Sequence, residues 1–310
     1  MNIKICGTGS ALPEKVITNK DLEKMVDTDD AWIVERTGIS KRHMAAEDES
    51  AASLGALAAS RALEMAGYEI SDIDLILVAT CSDDYRTPSC ACKIQKLLGK
   101  TNIPAFDVNA ACTGFLTALT IADAYFNSGI YKRILIIGTE TLSRMTDYTD
   151  RGTCILFGDG AGAIVAEAVD SENRMISTLY ADGERGDALS CIAGEKLKMD
   201  GQAVYKFAVR SVPQTINATL EKAGLAVDDI DHFLLHQANK RIIEAVARSL
   251  KADINRFSMN ISEVGNTSSA SIPILLDEIN RQNIIKKGDI ILMSGFGAGL
   301  TYGSCVIRWE

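Results

Sequence analysis

Proline is scarce in this chain, with 5 in 310 residues, and no Ser/Gly-rich stretch interrupts it. That excludes a string of small modules on flexible linkers and favours one continuous α/β body. Histidine is scarcer, at 3, and tryptophan numbers only 2. Positive charge is in deficit: 32 Lys and Arg face 41 Asp and Glu, a formal charge of −9. This excludes binding of nucleic acid through a general basic surface, while leaving room for a local basic patch. No cysteine or histidine spacing suits zinc; Cys90 and Cys92 form C-x-C with no histidine nearby, so no metal is expected. Gly158–Gly162 and Gly295–Gly299 are Gly-rich, yet neither fits G-x-G-x-x-G or a P-loop, so a nucleotide-phosphate cradle is not expected. The start, Met1–Gly7, reads as a strand and lacks the apolar core of a signal peptide. The uncharged stretch between Asp107 and Asp123 is too short, and too rich in Asn and Thr, to span a bilayer. The expectation is a cytoplasmic protein with no membrane partner.

What is present is a hydrophobic fraction of 47%, enough for a sizeable core. The eight cysteines (6, 81, 90, 92, 112, 154, 191 and 305) sit mostly in apolar runs and read as reduced, buried thiols. Strands are expected at Ile73–Ala79, Ile134–Gly138, Cys154–Phe157, Ala163–Ala166, His232–Leu235, Ile290–Met293 and Ser304–Arg308. Helices are expected at Ser50–Ala66, Cys112–Ser128, Val204–Ala223, Lys240–Leu250 and Ala270–Gln282. The chain also repeats itself. Leu63–Gly67 leading to Ile70–Leu77 matches Leu220–Gly224 leading to Val227–Leu234, 157 residues later. Ser128–Gly138 matches Asn283–Ser294 at nearly the same offset. The expectation is one α/β unit duplicated, roughly 1–170 and 171–310.

Duplication places three chemical groups at one seam, because function collects at corresponding loop ends of such halves. Cys112 lies between an extended run (Pro104–Val108) and a helical pattern, where helix N–H groups and dipole favour a thiolate. The alternative for Cys112 is a buried structural thiol. His236 ends a strand before the polar break Gln237-Ala238-Asn239; a helix-opening residue is the plainer reading. His43 sits in a charged loop and is expected in solvent, and His232 is expected to be structural. Asn266, in Gly265-Asn266-Thr267-Ser268-Ser269-Ala270-Ser271, can donate to a developing oxyanion or simply cap a helix.

These stretches together resemble the thiolase superfamily and, within it, the β-ketoacyl-[acyl-carrier-protein] synthase III family, which initiates type II fatty-acid synthesis. The matching segments are Asp29–Ile33 with Arg36–Ile39, Ala110–Phe115, Thr149–Thr153, Phe157–Gly162, His236–Asn239, Gly265–Ser271 and Gly295–Gly303. The resemblance spans essentially the whole chain. It implies a layered αβαβα body and a Cys112–His236–Asn266 triad. Elongating condensing enzymes use two histidines, and this chain has none after His236; thiolases place a second cysteine in the C-terminal Gly-rich loop, which here has none. A papain-like reading fails for want of the C-G-S-C-W type signature.

The family implies an acyl-CoA primer, malonyl-acyl carrier protein as second substrate, no cofactor, and a homodimer. It implies an oxyanion hole from the N–H groups of Cys112 and Ala298. Coenzyme A would lie along Thr28, Trp32, Arg36, Arg151, Gly201, Tyr205 and Asn239, with Trp32 and Arg151 flanking the adenine. The acyl pocket would take in Leu142, Phe157 and Thr87, the last where many members carry a bulky aromatic supplied by the partner subunit. The segment Gly183–Leu197, which borders the pocket in the family, reads as shorter than usual. Carrier-protein docking falls on Lys240, Arg241, Arg248 and Lys251, which share about a third of a helix circumference, extended by Lys206 and Arg210. The other readings are a starter-unit acyltransferase or condensing enzyme of secondary metabolism using the same triad, and a non-catalytic binding module.

Overall fold

Alternation of β-branched runs with capped amphipathic segments builds the body, described here from a computed structural model for residues 2–99, 102–170 and 174–310. The first stretch holds β1 (Asn2–Ala11), β2 (Val16–Thr18), α1 (Asn19–Leu22), α2 (Asp30–Thr37), β3 (Lys41–His43) and α3 (Ala51–Ala66). Next come β4 (Leu75–Ala79), α4 (Cys90–Leu97), β5 (Ala105–Val108), α5 (Gly114–Ser128), β6 (Arg133–Thr141), α6 (Arg151–Cys154) and β7 (Asp159–Val169). Then follow β8 (Ile176–Ala181), β9 (Leu189–Ser190), β10 (Lys198–Met199), α7 (Gly201–Ala223) and β11 (His232–Leu235). The chain closes with α8 (Lys240–Leu250), α9 (Ile261–Val264), α10 (Ser271–Arg281), β12 (Ile290–Gly297) and β13 (Thr301–Arg308).

Two sheets share one pairing pattern. In the first, of order β1-β7-β6-β4-β5, β4 runs parallel to β6, β6 antiparallel to β7, and β7 antiparallel to β1. In the second, of order β11-β12-β13-β8, β11 runs parallel to β12, β12 antiparallel to β13, and β13 antiparallel to β8. The sequence repeat is the local cause. Both α3 and α7 end on a left-handed glycine, Gly67 (φ 69°) and Gly224 (φ 68°), and a 3₁₀ turn then feeds β4 and β11.

Helices separate into layers by what their apolar faces cover. α5 and α10 lie between the sheets, packing Phe115, Leu116, Leu119, Ile272, Leu275 and Leu276 against Leu75, Leu77, Ile136 and Ile164 on one side and Leu234, Met293 and Cys305 on the other. α3 and α4 cover the outer face of the first sheet, and α7 and α8 that of the second. The result is the expected αβαβα stack. Close approach is needed where α10 crosses β7: a Cβ on Gly162 would lie 2.5 Å from the Ile274 nitrogen.

Four expectations change. Cys154–Phe157 is no strand: Asp150 accepts from the Gly152 N–H and starts α6, while Phe157 makes only an isolated bridge to Asn266. The strand expected at Ala163–Ala166 starts earlier, at Asp159, so most of the Gly158–Gly162 run lies in β7. His43 is half-buried in β3 with Nδ1 2.6 Å from the Pro13 carbonyl, because β3 pairs with β2. Of the cysteines, Cys92 is exposed and Cys6, Cys81 and Cys191 are half-buried; all eight are free thiols. Residue Met1 of the first expected strand lies outside the described residues.

Candidate active site

β5 delivers Cys112. It sits in the 3₁₀ turn Ala111–Thr113, two residues before the start of α5, after a left-handed Ala111 (φ 46°) that turns the chain sharply. Gly297, at the end of β12, backs onto it; a Cβ there would lie 2.8 Å from both Cys112 N and Cβ. Thr113 Oγ1 lies 2.9 Å from both the Ala110 carbonyl and Thr301 Oγ1, tying this turn to β13.

His236 follows directly on β11, with its N–H donating to the Ser294 carbonyl at 2.8 Å. Its Nδ1 lies 2.7 Å from Ser271 Oγ, and its ring meets Phe296 edge-on at 5.6 Å. A longer 3.5 Å bond from the Gln237 N–H occupies a lone pair of the same Ser271 oxygen. When the Ser271 hydroxyl donates to Nδ1, Nε2 carries the N–H of the neutral ring. Asn266 is held by backbone bonds on both sides: its N–H donates to the Leu156 carbonyl and its carbonyl accepts from the Gly158 N–H, both at 2.9 Å. Its side-chain Oδ1 accepts from the Ser268 N–H at 2.9 Å, so Nδ2 is its donor end.

Burial dominates the electrostatics. It pushes the Cys112 thiol up to about 12, against the pull of the Ser268 hydroxyl and with some help from the Glu140 carboxylate. Desolvation thus opposes the thiolate that the helix start favours. Burial also pushes His236 down to about 3. Both groups rest neutral near pH 7.

One cavity of about 660 Å³ brings Cys112, His236 and Asn266 together with Phe157, Phe296 and Gly297. Its outer part is lined by Trp32, Arg36, Gly201, Tyr205, Asn239, Lys206 and Arg241. Arg151 does not line it but stacks over Trp32, its guanidinium carbon 4.8 Å from the ring centroid, and Arg36 lies over the same ring at 5.8 Å. Asn239 caps α8 through Oδ1 and donates Nδ2 to the Arg36 carbonyl at 3.0 Å, joining α8 to α2. Thr28 lies near this end with a buried hydroxyl that has no hydrogen-bond partner among the described residues. Ala298 follows Gly297 in a 3₁₀ turn and is half-buried.

Other expected residues stand apart. Leu142 is buried in the turn Leu142–Arg144 and does not line the cavity. Thr87 is exposed, beside a second cavity of about 690 Å³ bounded by Asp83–Arg86 and Cys191–Lys196. Lys240, Arg248 and Lys251 are exposed on α8 and its C-cap, with Lys240 near Glu244 at 3.9 Å, and Arg210 is exposed on α7. Sequence reasoning weighed capping for Asn266 and gave the serines after it no role; the structure puts the Ser271 hydroxyl on His236 Nδ1 and the Ser268 backbone N–H on Asn266 Oδ1. The signal was the run of small hydroxyl residues beside Asn266.

A five-layered body of this topology, with cysteine and histidine buried together on one cavity, defines the thiolase-like condensing acyltransferases. The comparisons with known proteins are more specific. Residues 106–183 match the family model 3-oxoacyl-[acyl-carrier-protein] synthase III, and residues 220–309 match the model of its C-terminal part. The β-ketoacyl-[acyl-carrier-protein] synthase III of Clostridium acetobutylicum is 44% identical over 99% of both chains. The crystal structure of the Aquifex aeolicus 3-oxoacyl-[acyl-carrier-protein] synthase III superposes with a TM-score of 0.97 at 43% identity, covering 99% of this chain and 100% of that one. That of Pseudomonas aeruginosa gives 0.95 at 39% identity, covering 100% and 99%. The chain belongs to the β-ketoacyl-[acyl-carrier-protein] synthase III family.

Proposed function

We infer that the protein carries out a decarboxylative Claisen condensation of an acyl-CoA primer with malonyl-acyl carrier protein, through an acyl-Cys112 intermediate. The observation that carries this is the single cavity on which Cys112, His236 and Asn266 meet beneath the Trp32–Arg36 end. Cys112 sulfur attacks the primer's thioester carbon; its proton leaves with the coenzyme A thiol, and the acyl group stays on Cys112. The N–H groups of Cys112 and Ala298 serve as the donors for the tetrahedral oxyanion. Malonyl-carrier protein follows. Nε2–H of His236 and Nδ2 of Asn266 donate to its thioester oxygen as CO2 departs, and the enolate carbon attacks the acyl-Cys112 carbonyl. The β-ketoacyl thioester leaves on the carrier protein, and the Cys112 thiolate takes a proton from solvent. Release of CO2 drives carbon–carbon bond formation, so the residues themselves suffice without metal or redox cofactor.

Neither donor carries a negative charge that would repel the enolate: His236 is held neutral by burial, and Asn266 is an amide. Trp32 and Arg151 suit a flat adenine ring, with Thr28 and Arg36 toward the nucleotide and Gly201, Tyr205 and Asn239 along the pantetheine arm. Phe157 borders the acyl group beside Cys112, while Leu142 is buried off the cavity. The exposed basic groups Lys206, Arg210, Lys240, Arg241, Arg248 and Lys251 suit an acidic carrier protein. Exposure of Thr87 fits a homodimer in which that segment of one copy reaches the acyl pocket of the other. We place the boundary of the two halves near residues 170 and 171, and the protein in the cytoplasm; among the described residues no helix is long and apolar enough to cross a membrane.

Intact-protein mass spectrometry tests the inference. Incubation with acyl-CoAs is expected to add one acyl mass, absent in Cys112→Ala, and malonyl-carrier protein is expected to discharge it as a β-ketoacyl product. Acylation that malonyl-carrier protein cannot discharge would instead support a starter-unit acyltransferase.

A further inference from the structure

Arg42 is a large side chain only 1% exposed, and its hydrogen bonds all go to neutral acceptors. Burial lowers its guanidinium to about 10, so it stays charged at neutral pH. Its Nε is also buried without a partner. A cation taken out of water with no counter-ion among the described residues is costly, and an apolar side chain of similar volume would fill the space at less expense. What the apolar side chain lacks is a rigid fork of donors.

That fork joins the elements at the outer end of the cavity. Nη1 donates to Asn19 Oδ1 at 2.8 Å and to the Ile17 carbonyl at 3.3 Å. Asn19 passes the link on: its Nδ2 donates to Asp30 Oδ1 and to the Ile39 carbonyl, both at 2.8 Å. Asp30 opens α2, which carries Trp32 and Arg36. On the other arm, Nη2 donates at 2.6 Å to the carbonyl of Ile155, the residue capping α6, which carries Arg151. Trp32 and Arg151 thus belong to elements held on opposite arms of one guanidinium. The Arg42 Cβ also lies 3.1 Å from where a Cβ on Gly158 or Gly265 would stand, so the same residue packs against Gly265, which precedes Asn266, and Gly158, which bonds its carbonyl.

We propose that Arg42 is a positioning residue for the coenzyme A end of the cavity, setting α2 against α6 so that Trp32 and Arg151 form a nucleotide clamp. The proposal rests on the condensing-enzyme reading and adds to it a specificity role for a group that touches neither substrate. Its mark is selectivity. Disturbing the fork weakens donors that carry the nucleotide and spares donors that lack it.

The test compares two thioesters of the same acyl group, acyl-CoA and acyl-N-acetylcysteamine, by the rate of Cys112 acylation. Arg42→Lys keeps the charge and loses the fork; Asn19→Ala cuts the relay to α2 and keeps the guanidinium. With circular dichroism and Tm confirming a folded chain, KM for acyl-CoA is expected to rise about ten-fold in each variant with kcat little changed. The efficiency with acyl-N-acetylcysteamine is expected to stay within about two-fold of the parent. A loss shared equally by both donors would show a merely structural residue and overturn the proposal, as would an unchanged KM for acyl-CoA. Should Arg42→Lys fail to fold, Asn19→Ala decides between the same two outcomes. Failure of the parent protein to acylate with either donor is a separate result: it would remove the condensing-enzyme reading and the clamp with it.

Discussion

A thiol held near 12 and an imidazole held near 3 do not exchange a proton at rest, so Cys112 and His236 start as neutral neighbours. Alkylation of Cys112 by iodoacetamide is therefore expected to be slow at pH 7–8 and to rise without a plateau to pH 10; a plateau near pH 7 would mean a pre-formed thiolate. His236 also sets an acid limit. Between its unfolded value near 6.5 and its folded value near 3, the unfolded chain binds a proton that the folded chain refuses. Its penalty to stability thus grows as pH falls through that window and is absent above it. The fall in Tm from pH 7 to pH 4.5 is expected to be shallower in His236→Ala than in the parent. At Asn266 the charge argument gives a sharper result. Asn266→Asp is expected to leave acylation of Cys112 nearly intact and slow condensation about 10²–10³-fold, measured by single-turnover discharge of the acyl-enzyme. That these three residues would come together on one cavity was legible because each sits where a strand or loop breaks into a helix. The state of Cys112 was not: it depends on how tightly Gly297 and the Ser268 loop, far away in sequence, close over the sulfur.

Among the elements, the best-read ones carried both a period and a cap. Ser50 and Gly67 bound α3, Asn239 opens α8, and the repeated Leu-Glu-x-Ala-Gly motif ends α3 and α7 alike. Cys154–Phe157 misled because an apolar run four residues long fits a strand or a buried turn equally well, and Asp150 decided in favour of the turn. The start of α7 was placed too late for the same kind of reason: Asp200 caps Gln202 and Ala203, adding residues that show no apolar period. Two element-level outcomes follow. Gly162→Val is expected to cost about 1–3 kcal/mol in urea unfolding, since α10 must move off β7. Reversing charge at Arg248 and Lys251 together is expected to lower kcat/KM for malonyl-carrier protein about ten-fold at low salt, converging with the parent at high salt. Acylation by acyl-CoA is expected to be unchanged in that variant; a comparable loss there would remove α8 as a docking face.

For the whole molecule, the order of the two sheets was not legible, but their likeness was, through the repeat at 157 residues. The triad draws on both sheets. Cys112 comes from the turn between β5 and α5, His236 from the end of β11, and Asn266 from a loop bonded to Leu156 and Gly158 ahead of β7. No piece of the chain with one sheet alone contains all three, and α5 and α10 join the two sheets through a shared core. Turnover is therefore a reporter of docking. When the denatured protein is diluted into buffer, far-UV ellipticity records each sheet as it forms, whereas acyl transfer to Cys112 and its discharge wait for the central helices to lock. The expected time course is a fast recovery of secondary structure, then a slower return of condensing activity.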